Sequence, residues 1–435
     1  MKLTTEDETQ RESRNEHRAD SPAPPFGKSM ELFRRAAEVI PCGIYGHQSP
    51  AAALPGASPY YAERASGSRY WDVDGREYID FMCGYGPIVL GYGHPEVEEA
   101  AARQRKDGDT MNHPSARMVE LAERLVDMVD FSAWCVFGKN GGDMTSWAIR
   151  VAREQTRKKK ILRVAGAYHG IDPWCSHTPG GLIEEDRSQI HTFKWNDLES
   201  FNQLIRRHVG KVAGVVVTPF HHPSFGDCEM PDNDFLQVIE RTCHDEGIVL
   251  ILDDIRAGFR LHLGGSHRVF GIKPDIICFS KALGNGYPIS AALGSKELRV
   301  PASRVFLTGS FWNSAAPMAA SLKTLEILER DDVPAKLNAL GLRLKDGLVA
   351  LGEKYGRPIV ASGPPATPFY RFADETNFRD WQQFCAIAME GRNGLAAFFH
   401  PHHNWFLSAT HSEKDIDQAL EIADQAFVTM NELPR

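Results

Sequence analysis

The chain has 435 residues, 42% apolar and 24% charged, a globular mix that excludes bulk disorder and fills about two or three domains at ~150 residues each. Its 49 basic and 57 acidic residues leave a net charge of −8, so the charge balance gives no reason to expect nucleic acid or an anionic membrane as a partner. No run approaches the ~20 apolar residues of a membrane span.

In chain order, residues 1–28 are polar, carry both charge signs and lack an apolar stretch. They read as a solvated tail, not a secretory or transit signal. Residues 29–75 are expected to pack with a small C-terminal domain rather than with a large domain at 76–330. Ser115 to Met128 reads as an amphipathic helix, with Met118, Leu121, Ala122 and Leu125 at helical spacing. From about 130 to 295, short apolar runs alternate with helical stretches. The runs are WCVF (134–137), ILRV (161–164), AGVVV (213–217), GIVLIL (247–252) and IICF (276–279). Runs apolar on both faces suit parallel strands covered by helices. Helices are expected at Asp143–Glu154 and Asn233–Asp245. This alternation predicts an α/β fold with a doubly wound, mostly parallel sheet. Helices follow at Ala315–Arg330 and, after a break at Pro334, at Val333–Tyr355. The small domain is expected at 331–435. Its last helix starts at Ser412, with Asp415 three residues on as a weak capping box and a buried stripe of Ile416, Ala419, Leu420, Ala423 and Phe427.

Eight cysteines without a CxxC pair fit a reduced, cytoplasmic setting, and Cys135 and Cys278 are expected in the core. His400, His402 and His403 cluster in AFFHPHHNWF, but no further ligand set accompanies them and no metal site is expected.

Four elements carry chemistry. The strand GIVLIL ends in Asp253 and Asp254, and an acid at the C-terminal end of a buried parallel strand faces the ligand crevice of such a sheet. The strand IICF ends in Ser280 and Lys281, 28 residues after Asp253, before the run ALGNGYP. FGKNGGDMTSWAIRVAR leads from a strand through Asn140, Gly141 and Gly142 into a helix, a turn that lets backbone N–H groups approach a phosphate. It matches neither the GxGxxG nor the GxxxxGK[ST] pattern, so nicotinamide and nucleoside triphosphate gain no support. GAYHG places the Tyr168 ring just after a strand, where it can stack on a planar group. One cofactor uses all four: pyridoxal 5'-phosphate (PLP) needs a lysine for its aldehyde, an acid for its ring nitrogen, an anion cradle and a stacking ring.

With these stretches in this order, and with YWDVDGREYIDFMCGYGPIVLGYGHPEV and LTGSFWNSAAPMAA beside them, the sequence resembles the class III PLP-dependent aminotransferases of fold type I over about residues 30–430. Its layout is most similar to the glutamate-1-semialdehyde aminomutase branch. The resemblance implies that Lys281 is the Schiff-base lysine, that Asp253 pairs with the pyridine nitrogen, and that Tyr168 and Ile255 flank the ring. Gly141 and Gly142 would cradle the phosphate, and Ser310 would reach it from the neighbouring subunit of a homodimer with a shared active site. The reaction so implied moves an amino group between a small-molecule amino donor and a carbonyl acceptor, through a Lys281 imine and pyridoxamine phosphate.

The sequence departs from the family pattern at several positions. Gly142 replaces a hydroxyl residue, Asp254 stands where glutamate is usual, and Thr218–Pro219 stands where Glu-Pro is common. IPCGIYGHQSP lacks the aminomutase's carboxylate-binding arginine, and HPHHNWFLS replaces its glutamate-bearing stretch. The substrate contacts expected from bulk and position are Tyr45, His47, Trp174, Trp312 and His403. Two alternatives keep the cofactor: an intramolecular aminomutase, and a PLP-binding protein without turnover.

Overall fold

The computed structural model describes residues 26–46, 58–223, 226–391 and 396–432. A meander of β1 (Ala62–Ser66), β2 (Arg69–Asp72) and β3 (Glu77–Asp80) is completed by the strand Ala396–Phe398, which runs parallel to β3. Residue 76, where a domain boundary was expected, thus lies in the turn of the β2–β3 hairpin. This sheet meets the C-terminal helices Arg379–Glu390 and Glu413–Glu432 over an aromatic core that includes Trp381, Phe384, Trp405 and Phe427.

The last helix starts as its sequence suggests. The Ser412 backbone N–H donates to Asp415 Oδ2 (2.9 Å) and the Asp415 N–H to Ser412 Oγ (3.2 Å), a reciprocal cap. Arg69 Nη2 reaches Asp415 Oδ1 at 2.8 Å and ties the meander to that helix. Leu420 is half-buried, whereas Ile422, Ala426 and Met430 join the buried face. An earlier helix, Val333–Lys354, takes Pro334 into its first turn, where a missing N–H costs nothing. The break falls instead at Asp332, which adopts a left-handed conformation (φ 43°).

Among the described residues a second sheet has seven strands: β4 (Trp134–Gly138), β5 (Lys160–Val164), β6 (Ile190–Phe193), β7 (Val212–Val217), β8 (Val249–Asp253), β9 (Ile276–Phe279) and β10 (Ser290–Gly294). The order is β4-β10-β9-β8-β7-β5-β6. From β6 to β9 all pairs are parallel, and β10 runs antiparallel to both β9 and β4. β7, β8 and β9 are buried along their whole length, as apolar runs without alternation require. Cys278 is buried in β9, but Cys135 in β4 is only half-buried, a correction to its expected place in the core. The C-terminal ends of the parallel strands open onto one crevice, the usual ligand position in such sheets.

Candidate active site

A cavity of about 600 Å³ opens at those strand ends. Lys281, Asp253, Gly141, Gly142, Tyr168 and Ile255 all line it. The volume lies within the ~300–1,000 Å³ usual for ligand pockets.

Lys281 follows β9 in a left-handed conformation (φ 45°), a strained placement for a non-glycine residue. Its Nζ donates to the Tyr85 carbonyl at 2.6 Å. Burial pushes its pKa down to about 7, helped by the Arg256 and Arg260 guanidinium groups and opposed by Asp253. A large part of the amine is therefore unprotonated near neutrality, the state needed to attack or to accept a proton.

Asp253 is 5% exposed at the end of β8. Its Oδ2 lies 2.7 Å from His169 Nδ1, and its Oδ1 accepts from the Ile255 backbone N–H at 3.2 Å. Each carboxylate oxygen keeps a further lone pair for a donor in the cavity. His169, 2% exposed, is fixed on two sides: its carbonyl accepts from Thr145 Oγ1 (2.7 Å) and its ring stacks on Trp174 at 5.7 Å and 12°. The neighbouring Asp254 points elsewhere. Its Oδ2 accepts from the Ser266 N–H at 2.7 Å while Oδ1 is buried without a hydrogen-bond partner. Burial raises its pKa to about 7 against the Ser266 hydrogen bonds, with the adjacent Asp253 adding to the rise.

The helix Gly141–Thr156 begins on the two glycines rather than at Asp143. Asp143 Oδ2 instead accepts from the Lys139 and Asn140 N–H groups (3.0 and 2.8 Å) and holds the turn. A Cβ on Gly141 would meet the Ile255 side chain at 2.4 Å, so any larger residue there must displace the group expected to flank the ring. Around Gly142 the nearest atom to an added Cβ is Gly170 Cα at 3.5 Å, an ordinary contact. Lys139 also lines the cavity, and its Nζ is buried without a hydrogen-bond partner. A cation with no partner beside a helix N-terminus suits an anion.

The substrate expectations fare differently. Trp174 is buried rather than presented to the cavity: it packs against His169 and donates from Nε1 to Ser146 Oγ at 2.8 Å. Tyr45 stands 76% exposed outside the cavity. Trp312 borders a separate hollow of about 250 Å³ with Ser146 and Asp172. Ser310 is exposed, so within one protomer neither residue reaches Lys281. His47 lies outside the described residues. His403 does not line the cavity but sits behind it, with Nε2 3.3 Å from Arg256 Nη1 and its ring edge-on to Tyr85 at 5.2 Å. The rings of His400, His402 and His403 are 6.0–6.4 Å apart where they meet. Their atoms serve separate hydrogen bonds, such as His400 Nδ1 accepting from the His402 N–H. Among the described residues no group of three side chains converges as metal ligands.

Among the cavity residues missed are Tyr85, Lys139, His169 and Arg256. Lys139, His169 and Arg256 adjoin residues already singled out, Asn140, Tyr168 and Ile255, and Tyr85 lies inside the quoted stretch YWDVDGREYIDFMCGYGPIVLGYGHPEV.

The buried acid, the amine held near neutrality, the glycine-started helix and the unpartnered lysine fit PLP. The pattern of the class-III aminotransferases matches residues 52–361. The chain is 42% identical over 400 residues to the aminopentol aminotransferase of Sphingopyxis macrogoltabida, covering 92% of this chain and 94% of the relative. It is 32% identical over 411 residues to the 3-aminobutyryl-CoA aminotransferase of Cloacimonas acidaminovorans, covering 94% and 98%. Among solved structures it is similar to the FumI protein of Sphingopyxis sp. MTA144 in its PLP internal aldimine form. That match has a TM-score of 0.90 and 42% identity, covering 93% of this chain and 96% of that one.

Proposed function

Since the chain belongs to the class-III aminotransferases, we propose that it takes the amino group from an amine lacking a free α-carboxylate, with Lys281 and Asp253 as its working groups. The enzyme is a PLP-dependent aminotransferase acting on a small-molecule amine donor and a carbonyl acceptor. When bound, PLP supplies an aldehyde carbon and an electron-accepting ring.

The chain's own residues do the rest. Lys281 Nζ would hold the cofactor until the amine arrives, then take the proton from the donor carbon that carries the nitrogen and deliver it to the carbon that was the cofactor's aldehyde. Asp253 keeps a proton on the ring nitrogen, and His169 holds Asp253 in place. The Gly141 and Gly142 amides, with Lys139 beside them, hold the phosphate. Tyr168 and Ile255 confine the ring between them. The observation that carries this reading is that the Asp253 carboxyl and the Lys281 amine face one cavity at the mouth of a glycine-started helix. Two similar proteins named for donors other than α-amino acids support the donor class.

A homodimer with a shared site belongs to the same proposal. Phe306 and Phe311, 75% and 66% exposed, flank Ser310 and form an apolar surface suited to a second copy. A cytoplasmic setting is supported by eight unpaired cysteines. Among the described residues no helix is long and apolar enough to cross a membrane.

The test is a panel of amines and carbonyl acceptors added to PLP-loaded protein while the bound cofactor's visible absorbance is followed. An amine should bleach the band and an external acceptor restore it, and Lys281→Ala should do neither. Turnover without any external acceptor would favour the intramolecular aminomutase, and absence of any response would favour binding without turnover.

A further inference from the structure

Arg256 is the cavity's unclaimed cation. It follows Ile255 on the loop after β8 and lines the same space as Lys281. Its Nη1 donates to two neutral acceptors, Asn404 Oδ1 and His403 Nε2. Among the described residues, Nη2 and Nε have no hydrogen-bond partner, and no carboxylate forms an ion pair with the group. Burial lowers its pKa to about 10, opposed by Cys228, the Asp253 carboxylate and Tyr168 nearby, which still leaves it charged at neutral pH. The other buried arginine nearby does not line the cavity: Arg260 donates to the carbonyls of Leu407 (2.5 Å), Gly86 (2.7 Å) and Ile88 (3.3 Å).

We propose that Arg256 anchors the carboxylate of the amino acceptor and selects an α-keto acid carrying a single carboxylate; this rests on the aminotransferase reading above. A guanidinium offers parallel N–H donors matched to a carboxylate, and one steadied by neutral partners keeps its charge for the ligand. The donor proposed above has no free α-carboxylate, so an α-keto acid acceptor is the substrate that brings one beside the reacting carbon. A second carboxylate would find no further free guanidinium lining the cavity, and Asp172 on its wall adds a charge of the same sign.

The experiment uses PLP-loaded protein and its Arg256→Gln and Arg256→Lys variants, with pyruvate, 2-oxoglutarate and the carboxylate-free propanal as acceptors. Loss of a charged hydrogen-bond pair should lower the pyruvate-to-propanal ratio of kcat/KM by about 10- to 100-fold in Arg256→Gln. Arg256→Lys should fall between this variant and wild type, and wild type should prefer pyruvate to 2-oxoglutarate. Binding of propionate, a carboxylate that cannot react, should weaken by the same factor when titrated at equilibrium. A ratio unchanged within about threefold, or a loss of PLP affinity with unaltered propionate binding, would overturn the proposal in favour of a contact to the cofactor. Should wild-type protein turn over no acceptor at all, the aminotransferase reading fails, and the propionate titration still decides whether Arg256 binds carboxylates. If Arg256→Gln does not fold, Arg256→Lys and the wild-type acceptor preference carry the test.

Discussion

Replacing His169 by phenylalanine removes the side chain that steadies Asp253 while keeping an aromatic ring against Trp174. The 2.7 Å contact to Asp253 Oδ2 is the one side-chain hydrogen bond that Asp253 makes among the described residues, and the Ile255 N–H would be left to hold the carboxylate alone. A hydrogen bond to a charged group is worth about 1.5–3 kcal/mol, roughly a 10- to 150-fold effect. Asp253 acts on the ring nitrogen, so the loss should fall on proton removal. The bimolecular rate at which an amine bleaches the bound cofactor, read by stopped-flow absorbance, should drop about 10- to 100-fold. Affinity for PLP should change less, because Gly141, Gly142 and Lys139 are untouched. His169→Asn, whose amide can donate in place of the imidazole, should recover part of the rate. A phenylalanine variant within about twofold of wild type would refute the idea that this contact holds Asp253 for its task.

Other expectations follow from the same geometry. Gly141→Ala should weaken PLP binding at least tenfold, to ~10 times the wild-type Kd or more, because the new methyl group meets the Ile255 side chain, whereas Gly142→Ser fits and should tighten it by up to ~10-fold through an added hydroxyl; equilibrium titration of cofactor-free protein measures both. With the Lys281 pKa lowered to about 7, the rate of PLP uptake by cofactor-free protein should rise with pH and level off above ~8 instead of climbing towards the ordinary lysine value of ~10.4. In that interval the unfolded chain binds the extra proton, so cofactor-free stability contributed by Lys281 should rise from pH 7 upward, as a melting series would show. Asp254 has the opposite sign: its pKa is raised to about 7, the folded state binds the extra proton between the ordinary ~3.9 and 7, and stability is lost as pH rises through that window. Asp254→Asn should therefore raise the melting temperature more at pH 8 than at pH 5, by an amount worth a few kcal/mol.

What could be read before the structure was the part that follows from burial. β7, β8 and β9 declare themselves because a strand covered on both faces must be apolar throughout, and Asp253 and Lys281 stand out as the polar residues at which such runs stop. β6 and β10 do not declare themselves. β6 is four residues with histidine and threonine between Ile190 and Phe193, and β10 is Ser-Ala-Ala-Leu-Gly, whose Gly294 leaves room for the Trp134 ring. The second line of the site was hidden for a related reason. Nothing in GAYHG says that the His169 ring turns back under β8, and the partner that steadies Arg256, Asn404, lies 148 positions away. Trp174 shows the converse: size and nearness to Tyr168 suggested a pocket wall, yet a tryptophan that satisfies its N–H on Ser146 packs as core.

The central claim is that the Lys281 amine is the one that captures the cofactor. Lys139 is the instructive competitor, since it lines the same cavity and its Nζ is buried without a hydrogen-bond partner. Borohydride reduction of PLP-loaded protein followed by peptide mapping fixes the cofactor to whichever amine holds it. The pyridoxyl label should be found on Lys281, and on no other lysine in stoichiometric amount. A label on Lys139, or bound cofactor that reduction leaves unattached, would contradict the assignment of the active site.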